Sequence, residues 1–316
     1  MRRMIALGWA LVVAGGLAMP AAAADVVIGS SSVGGSYYLY AGGLATYLTK
    51  NAKGVQVTAR TTRGSVENAR LLDRKAMDFA FINATVLYQQ RHGVEQFKGQ
   101  ASRSLRGVAL VDLAPTHWVT LRDANIQGFD DLKGKRVSIG AAGSGGANTA
   151  TMVLRTLGLL GQVRVQQLGF EESATNLRDG NLEAFAAGSA LPMPAVADLA
   201  TTKSLRLLSI GPDVIKKLQQ EDPAIEMTTI PPGTYRGVDT PTTTIGTPST
   251  LVAHSGVPDD VVYEVARHLL TPATRAYMKT IYHAWDASPG GELWSRIEVP
   301  LHPGAARAYK EAGLLK

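Results

Sequence analysis

Two stretches of this chain share one spacing: Ile28-Gly29, four residues, Gly34-Gly35, and again Ile139-Gly140, four residues, Gly145-Gly146. Each follows a β-rich run, residues 26–28 or 137–139, and precedes a helical pattern. A strand that ends in a glycine turn at a helix start bares backbone N–H groups, which carboxylates and phosphates bind readily. One such turn is ordinary punctuation. Two in the same context predict two related lobes, each ending a strand in a glycine turn, with an anion clamp in the cleft between them.

The echo reaches past the glycines. Residues 177–186 repeat the pattern of residues 72–81, with Leu182-Glu183 matching Met77-Asp78. Tyr37, Ala41, Leu44 and Leu48 share a helical face, and Gly42 and Gly43 beside them cost about 1 kcal/mol each in propensity, which implies a neighbour pressed close. Residues 55–59 read as a strand, and Ser65 as the N-cap of a helix through Lys75. Residues 79–82 are apolar on both faces, like a parallel strand covered by helices. The second copy runs as strand 136–140, helix 148–157, helix 171–179 and the apolar run 182–186. Alternating strand and helix in both copies predicts an α/β fold with mostly parallel sheets. Residues 116–121 should leave the first lobe and residues 250–253 cross back, giving a two-strand hinge. Helices over 258–270, 272–282 and 304–312 should follow.

Arg2 and Arg3 precede an apolar run over residues 4–19, then Pro20 and Ala22-Ala23-Ala24, the three parts of a cleaved secretory signal. Cleavage is predicted after Ala24. The run is shorter than the roughly 20 residues of a bilayer span. The chain has no cysteine, which excludes a thiol nucleophile, a cysteine metal cluster and a lipid-anchored cysteine. Its formal net charge of +6 becomes +4 once Arg2 and Arg3 leave, and the remaining basic residues are scattered. That favours anionic solutes weakly, and nucleic acid is not an expected partner.

Catalytic pairs are missing: there is no Gly-x-Ser-x-Gly, no Ser with Lys three residues on, and no paired histidine to hold zinc among His92, His117, His254, His268, His283 and His302. No cofactor or metal is expected, and the chain is read as a non-enzyme. The second turn lacks the rest of a dinucleotide fingerprint and the Lys of a P-loop. Ser65 and Asn68 sit on a first helical turn, where capping and solvation compete with ligand contact. Asn83 and Thr85 follow an apolar strand at its carboxyl end, where open parallel sheets bind ligands. Tyr37 or Tyr38 should pack inward while the other covers the ligand. Arg63 and Arg122 are candidate charge partners for a carboxylate, and Tyr235 is a loop aromatic that either lids the site or packs.

The runs Gly34-Gly35-Ser36-Tyr37-Tyr38, Gly64-Ser65-Val66-Glu67-Asn68, residues 131–137, Gly143-Ser144-Gly145, residues 199–202, residues 230–235 and residues 299–304 occur in an order that resembles the TAXI family. Those are solute-binding subunits of one branch of the tripartite ATP-independent periplasmic (TRAP) transporters. The resemblance implies a periplasmic, two-lobed, type II-like binding protein, a small organic anion as ligand, permease subunits of the transporter as partners, and no catalysis. Small carboxylates, glutamate-like amino acids, dicarboxylates or oxoacids, are the implied ligand class. Carried over by position, the site comprises Gly34, Gly35, Ser36, Tyr37, Tyr38, Ser65, Asn68, Asn83, Thr85, Ser144, Gly145, Gly146, Ala147, Asn148 and Ala190.

The chain departs from the family at Arg63, Asn83 to Thr85, Gly146 and Ala190, where the family tends to carry Gly, Gln-Ser-Asp, Thr and Gly. The expected division is a signal peptide over 1–24, a first lobe over 25–120, a second over 121–248 and a return over 249–316, in a monomer. An exported enzyme acting on a small carboxylate, and a sensory or adhesive module without a small ligand, are the rival classes. Turnover of an anion would favour the first. A cleft plugged by side chains would favour the second.

Overall fold

The computed structural model describes residues 23–315, so all but the last residues of the predicted leader lie outside the described residues. Ala24, the predicted cleavage position, begins the first strand and pairs with Val55.

The repeat seen in the sequence is a repeat of topology. Strand β1 (Ala24–Gly29) leads to α1 (Ser36–Asn51), β2 (Val55–Arg60), α2 (Ser65–Asp73), β3 (Phe79–Asn83) and α3 (Ala84–His92). The central β1 pairs in parallel with β2 and with β3, as in Val26 with Val57 and Ile28 with Phe79. After the long β4 (Leu105–Leu121) the pattern returns as β5 (Arg136–Ser138), α4 (Gly145–Thr156), β6 (Arg164–Gln166), α5 (Phe170–Arg178) and β7 (Ala184–Gly188). Here β5 is central, with Val137 opposite both Val165 and Ala184. Strand β3 is buried along its whole length, which explains its unbroken apolar reading.

The rest of the second half is α6 (Pro194–Thr202), β8 (Leu205–Leu207), α7 (Pro212–Glu221) and β9 (Glu226–Ile230). These elements carry no echo of the first half. Strand β10 (Thr242–His254) then returns, and α8 (Asp259–Leu269), α9 (Pro272–Ile281), α10 (Leu293–Arg296) and α11 (Pro303–Glu311) complete the first half.

Two antiparallel strands join the halves. From Leu105 to Pro115, β4 pairs with β10, and from Thr116 onward it pairs with β7 and β8. The segments expected to cross are thus the ends of strands of 17 and 13 residues. The whole forms one mixed ten-stranded sheet in the order β2-β1-β3-β10-β4-β7-β5-β6, with β8 beside β4 and β9 beside β10, and helices on its faces.

The first-half core gathers Tyr40, Leu44, Leu48, Phe81, Trp285 and Tyr309 on one side of the sheet and Leu72, Ile82, Trp294 and Ile297 on the other. The second half has its own clusters, around Trp118, Val153 and Leu218 and around Phe185, Val196 and Tyr235. The close neighbour implied by the α1 glycines exists at Gly43, where a Cβ would meet Ile281 at 3.0 Å, whereas Gly42 faces open space. Helix α4 begins three residues earlier than the sequence predicts, because Ser144 is its cap.

Candidate functional site

Four helices begin at one small cavity. Its wall includes Ser36 and Tyr37 of α1, Gly64 and Ser65 at the start of α2, Asn83 at the cap of α3, and Ser144, Gly145 and Gly146 at the start of α4. Ser31, Arg63, Thr149, Phe170 and Gly188 complete the sides, and Ala114, Thr116 and Thr247 of the crossing strands form the floor. Hydroxyl groups and first-turn backbone dominate, and Arg63 is the one ionisable cation in the wall among the described residues. Each helix start leaves N–H groups without intrahelical partners and carries partial positive charge.

Some of these groups are already used. Ser36 N–H donates to Ser189 Oγ at 3.1 Å, Val86 N–H to Asn83 Oδ1 at 2.9 Å, and Ala147 N–H to Ser144 Oγ at 3.0 Å. The first-turn residues Tyr37, Ser65, Gly145 and Gly146 remain on the cavity wall. About 30 Å³ of it is open to the centre of a water molecule, against the roughly 10–15 Å³ that one water needs. A head group of a few atoms fits.

The halves touch around the cavity. Glu67 N–H, on α2, donates to Gly143 O at 3.0 Å. A Cβ on Gly145 would lie 2.5 Å from Asn83 Nδ2 and 2.8 Å from Ser65 Oγ, and one on Gly35 would lie 2.6 Å from the Phe170 ring. These two glycines are required by the other half pressing in. Tyr282, beyond α9, places its hydroxyl 2.9 Å from Ala190 O and 2.6 Å from Pro192 O, tying the first half to the loop after β7. The cleft is closed.

Of the residues predicted from the sequence, Ser36, Tyr37, Ser65, Asn83, Ser144, Gly145 and Gly146 line the cavity. The others stand elsewhere. Gly34 supplies a positive φ of 86° behind the turn, and Gly35 meets Phe170. Tyr37 is the tyrosine in the wall, and Tyr38 is 38% exposed outside it. Asn68 is fully buried and donates from Nδ2 to Ser30 O and Phe81 O, both at 2.8 Å, which fastens two strand ends behind the wall. Thr85 is buried on the far side of Asn83 with no partner for Oγ1. Ala147 donates to the cap, and Asn148 bridges from α4 to Gln89 Oε1 of α3 at 2.9 Å. Ala190 sits in the first-half core cluster.

Ser65 is the first residue of α2 and not its cap, which is Gly64 at φ 118°. Its Oγ accepts from Asn83 N–H at 3.1 Å. Arg122 bonds Gly237 O at the surface, away from the site. Arg63 stands at the mouth, 61% exposed, with its Nε 3.1 Å from Glu67 Oε2. Burial pushes the Glu67 carboxyl up, yet the bonds from the Arg63 backbone and guanidinium win and hold it below the usual range. Tyr235 packs in the second-half core, where its hydroxyl accepts from Met193 N–H at 2.8 Å and meets His117 Nε2 at 2.6 Å. His117 Nδ1 lies 3.2 Å from Ala187 O, which fixes the neutral tautomer with its proton on Nδ1. Burial pulls this imidazole down to about 4, against the opposing pull of Ala187 O.

Sequence reasoning missed Ser31, Gly64, Thr149, Phe170, Gly188 and the floor residues Ala114, Thr116 and Thr247. The carboxyl-end rule that selected Asn83 applies equally to Gly188 at the end of β7. The floor lies mid-strand on the crossing strands, and no turn or cap marks it.

A family model for NMT1-like proteins matches residues 28–313. The chain belongs to the NMT1-like family. Solved structures of the same two-lobed α/β architecture include the periplasmic binding protein BugD, at 13% identity and TM-score 0.56 over 94% of this chain and 100% of that one. Another, described as a periplasmic transporter, gives 15% and 0.55 over 94% and 99%. The periplasmic aliphatic sulphonate binding protein SsuA from Escherichia coli gives 15% and 0.50 over 92% and 94%. This NMT1-like chain therefore has the fold of periplasmic solute-binding proteins.

Proposed function

We propose that the protein is an exported, monomeric solute receptor, the TAXI-type binding subunit of a TRAP transporter, which captures a small organic anion between its lobes and delivers it to the membrane permease. The lobes divide at residues 120 and 248, and the mature chain begins after Ala24. The observation that carries the reading is the convergence of four helix starts, from α1, α2, α3 and α4, on one cavity between two halves. First-turn N–H groups and the Ser36, Ser65 and Ser144 hydroxyls satisfy the anion's oxygens, and closure excludes water. The cavity admits a small head group such as a carboxylate, with the rest of a larger ligand directed past Arg63 to the mouth. A ligand that touches both halves favours the closed form because it binds that form better than the open one.

The test is mass spectrometry of whatever co-purifies with the mature protein, followed by a thermal-shift screen of amino acids, dicarboxylates, oxoacids and aliphatic sulfonates. A carboxylate that raises the melting temperature and is not turned over supports the proposal. A screen in which sulfonates alone stabilise the protein replaces the ligand class. Turnover of a hit, or stabilisation by none, removes the receptor reading.

A further inference from the structure

Beyond the cavity floor lies a carboxyl that anion binding does not use. Residues 112, 114 and 116 of β4 share one face of the strand, and Ala114 and Thr116 floor the cavity. Two residues along a strand is about 6.6 Å, so Asp112 stands one step beyond the floor. Ser249 faces it from β10 in register, and Thr247, on the same face of β10, is floor again.

The surroundings of Asp112 are aromatic. Tyr40 donates its hydroxyl to Asp112 Oδ2 at 2.6 Å, and Tyr40 itself packs on Phe81, Tyr282 and Trp285. Tyr37, whose ring lies 5.6 Å from Phe81, lines the cavity and also faces Asp112. The titratable groups that face Asp112 are Tyr37 and Tyr40 from α1 and Tyr282 from beyond α9, while β10 offers the Ser249 hydroxyl; no Lys, Arg or His is among them. Asp112 Oδ1 and Ser249 Oγ are both buried without a hydrogen-bond partner.

We propose that Asp112 is a specificity-determining group of the cavity, a carboxyl held neutral beside Tyr37, so that capture of an anion is coupled to retention of one proton. The coupling deepens the receptor reading and rests on it; the protonation of Asp112 is tested without any ligand. A carboxylate enclosed without a cation is costly, and neutralisation removes that cost. Ser249 faces Asp112 in register, so a protonated Oδ1 has a hydroxyl oxygen on that side to donate to, while Oδ2 keeps accepting from Tyr40. Burial raises the proton affinity of this carboxyl, against the nearby Ser249 hydroxyl and the Tyr40 hydrogen bond. An anion on the cavity floor raises it further, so affinity for the anion falls as pH climbs through the Asp112 titration.

Infrared difference spectra of the ligand-free protein, wild type against Asp112→Asn at neutral pH, should show the carbonyl stretch of a protonated carboxyl. Asp222→Asn is the control, because burial also raises that carboxyl, to about 7. A carboxylate band in its place overturns the proposal. Should Asp112→Asn fail to fold, Tyr40→Phe removes a donor to the ionised form and should move the Asp112 carboxyl titration, read by carbon-13 NMR, to higher pH; an unmoved titration is equally fatal. With pyruvate as probe, the dissociation constant should rise up to about tenfold per pH unit above that titration in wild type and stay flat in Asp112→Asn. Parallel pH profiles in the two proteins overturn the coupling. Pyruvate that binds at no pH counts against the receptor reading, and the infrared band then decides Asp112 alone.

Discussion

Asn68 shows how a residue chosen for ligand contact can belong to the scaffold. Its amide joins Ser30 O to Phe81 O behind the wall, and its Oδ1 is 2.9 Å from where a Gly29 Cβ would stand. Asn68→Ala is therefore expected to lower stability by about 1–3 kcal/mol, the cost of leaving buried acceptors unpaired. Urea unfolding checks this, and an unchanged midpoint would mean that the Ser30 and Phe81 carbonyls find other partners. His117 supplies a pH dependence whose sign follows from its lowered proton affinity. The unfolded imidazole takes a proton near 6.5 and the folded one near 4, so its contribution is intact above about 6.5 and is lost as pH falls toward 4. The stability difference between wild type and His117→Gln should shrink by about 3 kcal/mol over that window. A constant difference would show that the imidazole charges in place.

At the scale of elements, glycine is the residue that lets helix starts meet. Gly145 opens α4 against Asn83 and Ser65, with no room for a methyl group. Gly145→Ala should fold normally yet destabilise the closed form by about 1–3 kcal/mol, which weakens anion affinity roughly 5- to 150-fold. Calorimetric titration with the best hit of the ligand screen measures it, and equal affinity would place closure elsewhere. The twin glycine turns were legible because a positive φ or a close approach demands glycine wherever it occurs. The turns that lead into α1 and α4 were legible for that reason, although α4 itself was read three residues late. The start of α2 was displaced by one residue, since Ser65 resembles a cap while Gly64 holds that place with a φ only glycine adopts readily. Helix α3 went unread because its cap, Asn83, ends a strand with no intervening turn, and its buried face mixes Thr85, Gln89 and Gln90 with Val86 and Leu87. Helices α6 and α7 carry plain start signals, Pro194 and Pro212 at the first turn, but lie outside the internal echo that guided the reading.

For the whole molecule, closure is held by packing and by several bonds between the halves, among them Glu67 N–H to Gly143 O, Asn148 to Gln89 and the Arg155–Glu95 and Arg296–Glu226 ion pairs. The Tyr282 hydroxyl reaches the second half at Ala190 and Pro192, and Ser36 N–H reaches it at Ser189. Tyr282→Phe removes one of these without altering the cavity wall, so the unliganded protein should spend more time open. Small-angle scattering should report a larger radius of gyration for unliganded Tyr282→Phe than for wild type, with the two converging when ligand saturates. Identical unliganded profiles would mean that this hydroxyl does not set the balance. The passage between halves is narrow: β4 and β10 lie side by side, bonded to each other along the way, with ladder irregularities at Ser249/Thr250 and Leu251/Val252. Neighbouring strands laced together bend across their common line far more easily than they slide or twist apart. The two jaws thus share essentially one swing, and a guest enters from the side opposite that line. In the proposed receptor, whatever machinery receives the guest would have a single shape coordinate by which to tell a loaded carrier from an empty one.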